Sequence, residues 1–245
     1  MLEHHFSSLI AHMTTMPVLM IALTLCAYLV AMWIAARLHF SPLANPVVLG
    51  VAMIIVLLTS TGISYEKYFA AVQSLHLLLG PVTVALAIPL ARQLPRLRRR
   101  ILPLSMGLLL GSLTAMLSAV MIMIWMHGSV ELALSIGPKS ATTPIAMSIA
   151  EKIGGIPAVA AAIVILTGAF GALVARYLFN WMHISSPEIR GFALGLAAHG
   201  IGTARGFQVS KEIGTFAGLG MGLNGILTAL LAPSLVPIIV SYFLK

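Results

Sequence analysis

Six stretches of this chain run for 20 residues or more without one charged side chain: 17–36, 43–65, 68–91, 101–130, 153–175 and 213–244. A helix crosses a bilayer core with about 20 apolar residues. Only 8% of the chain is charged and 60% is hydrophobic, whereas a soluble domain carries about 25% charged residues. There is too little polar surface to face water. A membrane β-barrel would alternate apolar and polar residues in segments of about ten, and these runs are continuous. The pattern predicts an all-α polytopic membrane protein, one membrane domain over 1–245.

The predicted spans are 17–36, 46–60, 69–91, 101–126, 130–150, 157–180, 189–204 and 213–243, about eight in all. The net charge of +8 reads as loop cations that orient the chain in the bilayer, not as a nucleic-acid surface. The cluster Arg92, Arg96, Arg98, Arg99 and Arg100 places its loop in the cytoplasm. Eight full crossings then put Arg37, Lys152, Arg205 and Lys211 on the same side, and Lys67, Arg176, Arg190 and Lys245 on the other, nine cations against four. Lone Cys26 cannot form an internal disulfide. The segment MLEHHF has no basic leader and no small-residue cleavage site, so no cleaved signal peptide is expected.

The two ends of the chain resemble each other. His39-Phe40-Ser41-Pro42 parallels His183-Ile184-Ser185-Ser186-Pro187, Leu49-Gly50 parallels Leu194-Gly195, Gly62 parallels Gly206, and Val84–Pro89 parallels Thr228–Pro233. This divides the chain into a first repeat (17–100), linking spans (101–156) with a broken helix at 130–150, and a second repeat (157–245). Five crossings before 157 would invert the second repeat against the first, a secondary-transporter arrangement with discontinuous helices. If 130–150 is re-entrant, parity makes the repeats parallel.

Chemistry concentrates at Gly137-Pro138-Lys139-Ser140-Ala141-Thr142-Thr143-Pro144. Two prolines and a glycine break the helix and free backbone groups, which in lipid must find partners. A half-helix starting near Thr142 would aim its N–H groups at an anion. Ser140, Thr142 and Thr143 add hydroxyls, and Lys139 adds a cation that is costly in hydrocarbon. The alternative is a proline-kinked helix whose lysine snorkels to the interface. The span that includes Ala198–Gly206 is short and glycine-interrupted, as expected of a broken helix at a transporter site; in it His199 offers a proton relay or a satisfied interior histidine. Thr203 offers a hydroxyl, and Arg205 a two-pronged grip on a carboxylate or an interfacial anchor. Asn224 either binds substrate or locks helices together. Glu151 and His199 are the candidate coupling residues. No metal or catalytic motif is present, so neither cofactor nor enzymatic activity is expected. Gly220-x-Gly222-x-x-Gly225 matches a dinucleotide fingerprint by letter only, lacking a preceding strand.

The segments GPKSATTPIAMSIAE (137–151), AAHGIGTARGF (197–207) and GMGLNGILTALLAP (220–233), with NPVVLG (45–50) and GPVTVALAIPL (80–90), resemble the LrgB/CidB family. The resemblance implies a bacterial cytoplasmic (inner) membrane protein, antiholin- or holin-like, that regulates murein hydrolase activity and lysis with a small LrgA/CidA-type partner. A plastid relative carries glycolate and glycerate, and bacterial members are linked to pyruvate. The expected function is therefore a carrier of small monocarboxylates, proton-coupled, in a homo-oligomer. The carboxylate would be held by Lys139, Ser140, Thr142, Thr143, His199, Thr203, Arg205 and Asn224. The rival expectation is a non-transporting holin/antiholin-like regulator.

Overall fold

The computed structural model describes residues 17–38, 44–78 and 100–243. The chain divides into two compact units, Met1–Ala87 and Ile88–Lys245.

In the first unit, α1 (Pro17–Arg37) packs on α2 (Pro46–Thr61) and α3 (Tyr65–Ala71), and α4 (Gln73–Leu77) follows. The Asn45 side chain accepts from the N–H of Val47 at 2.9 Å and starts α2. Gly62, at φ 68°, ends it in the left-handed region that glycine enters without a Cβ penalty. Thr24 Oγ1 and Tyr68 OH bond at 2.8 Å and tie α1 to α3. The span expected at 69–91 is broken at Val72 as far as it is described. Outside the described residues lie His39–Pro42, the segment 80–90 with Val84–Pro89, Arg92, Arg96, Arg98, Arg99 and Lys245.

The second unit holds α5 (Ile101–Trp125), α6 (Val130–Ile136), α7 (Thr143–Ile153), α8 (Pro157–Trp181), α9 (Pro187–Val209) and α10 (Lys211–Phe243). Among the described residues four helices, α1, α5, α8 and α10, are long and apolar enough to cross a bilayer. Two of the expected crossings, 130–150 and 189–204, instead turn back on themselves.

The first is hairpin A, made of α6 and α7. The N–H of Ile156, just past α7, donates to Ser135 Oγ in α6 at 2.7 Å. That contact is impossible if α7 continues in the direction of α6, because α7 alone advances about 16 Å. The reason for the turn is chemical. Pro138 and Pro144 cannot donate N–H bonds to the preceding turn, so 137–142 forms turns such as Ala141 N–H to Pro138 O at 3.0 Å.

The second is hairpin B, formed by α9 itself. His199 has φ 40° and ψ −129°, which separates arm 187–198 from arm 200–209. Residues eight apart in a straight helix stand about 12 Å apart along the axis, yet a Cβ built on Gly202 would meet Leu194 O at 2.7 Å. Cβ atoms built on Gly195 and Gly206, one in each arm, would both meet Ala217 of α10. Gly195 is needed there: any Cβ would run into the Ala217 carbonyl oxygen.

The hairpins enter from opposite ends. Hairpin A lies at the end where α5 finishes in exposed Trp125, and its Gly137 meets Val236 near the end of α10. Hairpin B lies at the end where α8 finishes in exposed Trp181, with Gly191 against Ile213 near the start of α10. The local pattern at the two ends is the same. Each preceding helix has 25 residues and finishes Trp-Met-His, with His127 at φ 58° and His183 at φ 55°. Each following arm is capped by a serine, Ser129 or Ser186, with Glu131 or Glu188 in its first turn.

Doubling back changes the charge map. The antiparallel relation expected between 17–100 and 157–245 rested on 130–150 crossing, a premise that the fold-back of hairpin A removes. Arg176 and Arg190 were expected opposite Arg205 and Lys211. The structure puts all four, with Arg100, at the Trp181 end, and Lys152 at the Trp125 end.

Two apolar clusters fix each hairpin to the long helices. Met116 and Val120 of α5, Ala133 and Leu134 of α6, Ile149 of α7 and Val236 and Val240 of α10 form one. Leu104 of α5, Phe192 and Leu196 of hairpin B, and Phe216 and Leu219 of α10 form the other.

Candidate functional site

Both hairpin tips reach the same level of α10, marked by fully buried Asn224. Its Nδ2 donates to Ser140 O in hairpin A at 2.9 Å and to Leu196 O in hairpin B at 3.1 Å. Its Oδ1 accepts from Ser112 Oγ of α5. The amide thus spends both N–H groups and its oxygen on protein. Of the two roles expected for Asn224, the locking role is the one this geometry describes. A buried amide with three partners in an apolar interior is costly to replace.

Hairpin A contributes the unspent groups. Ser140 is buried, and its Oγ is a buried side-chain atom without a hydrogen-bond partner. Two residues on, Thr142 is the N-cap of α7 in extended geometry (ψ 153°), and its side chain makes no capping bond. The first amides of a helix have no partner within it and carry its positive dipole end. Thr142, Thr143 and Lys139 are half-buried beside it. A buried hydroxyl, an uncapped helix start and a lysine thus lie within residues 139–143 of one tip, a set of groups chemically suited to an oxyanion.

Hairpin B contributes His199. Its ring is buried, and its Nε2 lies 2.8 Å from Val164 O of α8. Since a carbonyl only accepts, Nε2 carries the proton and Nδ1 is the nitrogen left to titrate. Gly168 makes room for the ring: a Cβ there would sit 2.7 Å from Nε2. Thr203 Oγ1 donates to His199 O at 2.9 Å and steadies the return arm.

The remaining expected residues lie apart from the tips. Glu151 is exposed at the far end of α7 from the break, near the base of hairpin A. Arg205, on the return arm of hairpin B, donates to Gln208 Oε1 at 3.1 Å and lines a cavity with Arg176 and Arg190. Sequence reasoning missed Ser112, which nothing in its apolar surroundings marks. It expected a glycine-interrupted helix over 198–206 but missed that the chain folds back at His199, for which a signal existed: the tripeptide Trp-Met-His recurs at 125–127 and 181–183, with Ser and Glu following both times.

The comparisons with known proteins agree along nearly the whole chain. The model of the LrgB-like family matches residues 24–238. A Bacillus subtilis protein, the uncharacterised YwbG, is 37% identical over 78% of this chain and 85% of its own. The holin-like protein CidB of Staphylococcus epidermidis is 26% identical over 92% of this chain and 96% of its own. The antiholin-like protein LrgB of Bacillus cereus is 28% identical over 82% of this chain and 85% of its own. No solved structure matches the chain.

Proposed function

This chain belongs to the LrgB-like family, and from that premise we propose that it is a multi-pass protein of the bacterial cytoplasmic membrane that binds a small monocarboxylate between two opposed hairpin tips and carries it across. The single observation that carries the reading is the unpartnered Ser140 Oγ beside the uncapped start of α7. A buried polar atom left without a partner costs about 1–3 kcal/mol, and a carboxylate oxygen is the group that would relieve it. Lys139 supplies one positive charge, which matches a monoanion. His199 Nδ1 takes and gives the coupling proton.

The opposed placement of the hairpins supports the transport step. The unit α5 with hairpin A and the unit α8 with hairpin B form an inverted pair over 101–153 and 157–209. Each tip closes the site toward one side of the membrane, so that freeing one at a time alternates access. Five of the seven cations in 100–243 cluster at the Trp181 end and one at the Trp125 end, which supports an orientation with the Trp181 end in the cytoplasm.

A second reading has its own support. Relatives named holin-like CidB and antiholin-like LrgB back a holin- or antiholin-like regulator, acting on lysis with a small LrgA/CidA-type membrane partner, better than they back a monocarboxylate carrier. One experiment separates the two. Proteoliposomes holding the folded chain, with and without the small partner, are given labelled glycolate, glycerate and pyruvate. Carriage predicts uptake of at least one, reduced at least tenfold by Lys139→Gln. If none enters with the partner present, the carrier reading fails. The regulator reading predicts that Lys139→Ala leaves the lysis phenotype intact while the complex still assembles.

A further inference from the structure

A cavity of about 190 Å³ opens between α8 and the two arms of hairpin B, at the Trp181 end and away from the tips. Three arginines line it: Arg176 from α8, Arg190 from the outgoing arm and Arg205 from the return arm. No acidic residue lines it. Its other walls are apolar, among them Phe179, Leu194 and Ile213. The hydrogen-bond partners of two of these arginines are neutral oxygens. Arg190 donates to Ile184 O at 2.5 Å and to Asn180 Oδ1 at 2.7 Å, with its guanidinium 5.9 Å from the Phe179 ring centroid. Arg205 donates to Gln208 Oε1.

Three like charges around one partly apolar cavity repel one another, and half-buried Arg190 and Arg205 lose some hydration. Such an arrangement is favourable once an anion fills it. A guanidinium has five donors in a flat fork, and the bonds above occupy two on Arg190 and one on Arg205. Three forks around one cavity suit the several oxygens of a phosphate. We infer that this pocket is a second anion site, specific for a phosphate group. The apolar walls and the position at the ends of bilayer-length helices point to the headgroup of an anionic phospholipid, whose chains would lie along α8. Free phosphate shares the chemistry. Because Arg190 and Arg205 stand on opposite arms of hairpin B, a bound phosphate would clamp the hairpin shut at its base.

The test is calorimetric titration of the full chain in neutral detergent. The probes are dihexanoyl-phosphatidylglycerol and inorganic phosphate, against dihexanoyl-phosphatidylcholine and chloride. Saturable binding of phosphatidylglycerol alone identifies a lipid site, and binding of inorganic phosphate identifies a free-anion site. In either case Arg176→Gln, at an exposed position that leaves folding intact, should weaken binding about tenfold, the worth of one charge-assisted hydrogen bond. Arg100→Gln, at the same end but outside the pocket, should leave affinity unchanged. The inference is overturned if neither probe binds above its reference, or if Arg176→Gln and Arg190→Gln both bind as the parent does.

Discussion

Replacing Asn224 by alanine removes a side chain that joins α5, hairpin A, hairpin B and α10. Three bonds go: from Ser112 Oγ, to Ser140 O and to Leu196 O. Hydrogen bonds between membrane helices are worth about 0.6 kcal/mol on average and about 1.7 at most. Three of them therefore amount to about 2–5 kcal/mol. The upper part of that range applies, because the site is fully buried and the abandoned carbonyls have no water to turn to. The assay is reversible unfolding in mixed micelles, titrated with denaturing detergent and followed by circular dichroism. Asn224→Asp sharpens the argument. It keeps an acceptor for Ser112 but sets a carboxylate oxygen against two carbonyls, so it should destabilise at least as much as alanine. Ser112→Ala should cost less on its own and almost nothing further in the Asn224→Ala background. If Asn224→Ala unfolds within about 0.5 kcal/mol of the parent, the amide does not hold the tips together.

Gly195→Ala pushes a methyl group into the Ala217 carbonyl oxygen and should destabilise by about 1–3 kcal/mol in the same titration, whereas Gly107→Ala, with open space around it, should be neutral or slightly stabilising. Gly168→Ala crowds His199 Nε2 and should displace the ring from Val164 O, lowering proton-coupled uptake more than it lowers stability; unchanged uptake would remove His199 from the mechanism. Ser140→Ala deletes a buried hydroxyl that has no protein partner, so without anion it should raise unfolding stability by up to about 1–3 kcal/mol, while weakening anion binding several-fold by calorimetry.

The helices themselves were legible because charge-free runs of bilayer length have few other destinies. The break at 137–144 was legible for a similar reason: two prolines and a glycine inside an apolar run leave the ladder nowhere to continue. The direction of the chain after that break was not legible. Whether α7 runs on or folds back depends on Ser135 meeting Ile156 N–H, a contact 21 residues apart that no periodicity announces. The turn at His199 was harder still. The glycines of 198–206 mark a broken helix, but the reversal itself uses one residue in a positive-φ conformation and no proline. Asn224 was visible as the one strongly polar side chain in its run, but its partners are two backbone carbonyls and a serine, and backbone carbonyls have no letter in the sequence. The expectation that Arg176 and Arg190 lie on one side and Arg205 on the other follows from reading 189–204 as a full crossing. The fold-backs bring them to one end.

Everything about the site follows from the two segments 130–153 and 187–209 returning to the face they left. With Cys26 replaced by serine, single cysteines at Ser129 and Lys152 flank hairpin A, and at Ser185 and Lys211 flank hairpin B. Labelling with a membrane-impermeant maleimide in oriented vesicles should mark 129 and 152 from one face and 185 and 211 from the other. If 129 and 152 label from opposite faces, hairpin A crosses the membrane, its tip is not a site, and the account is wrong.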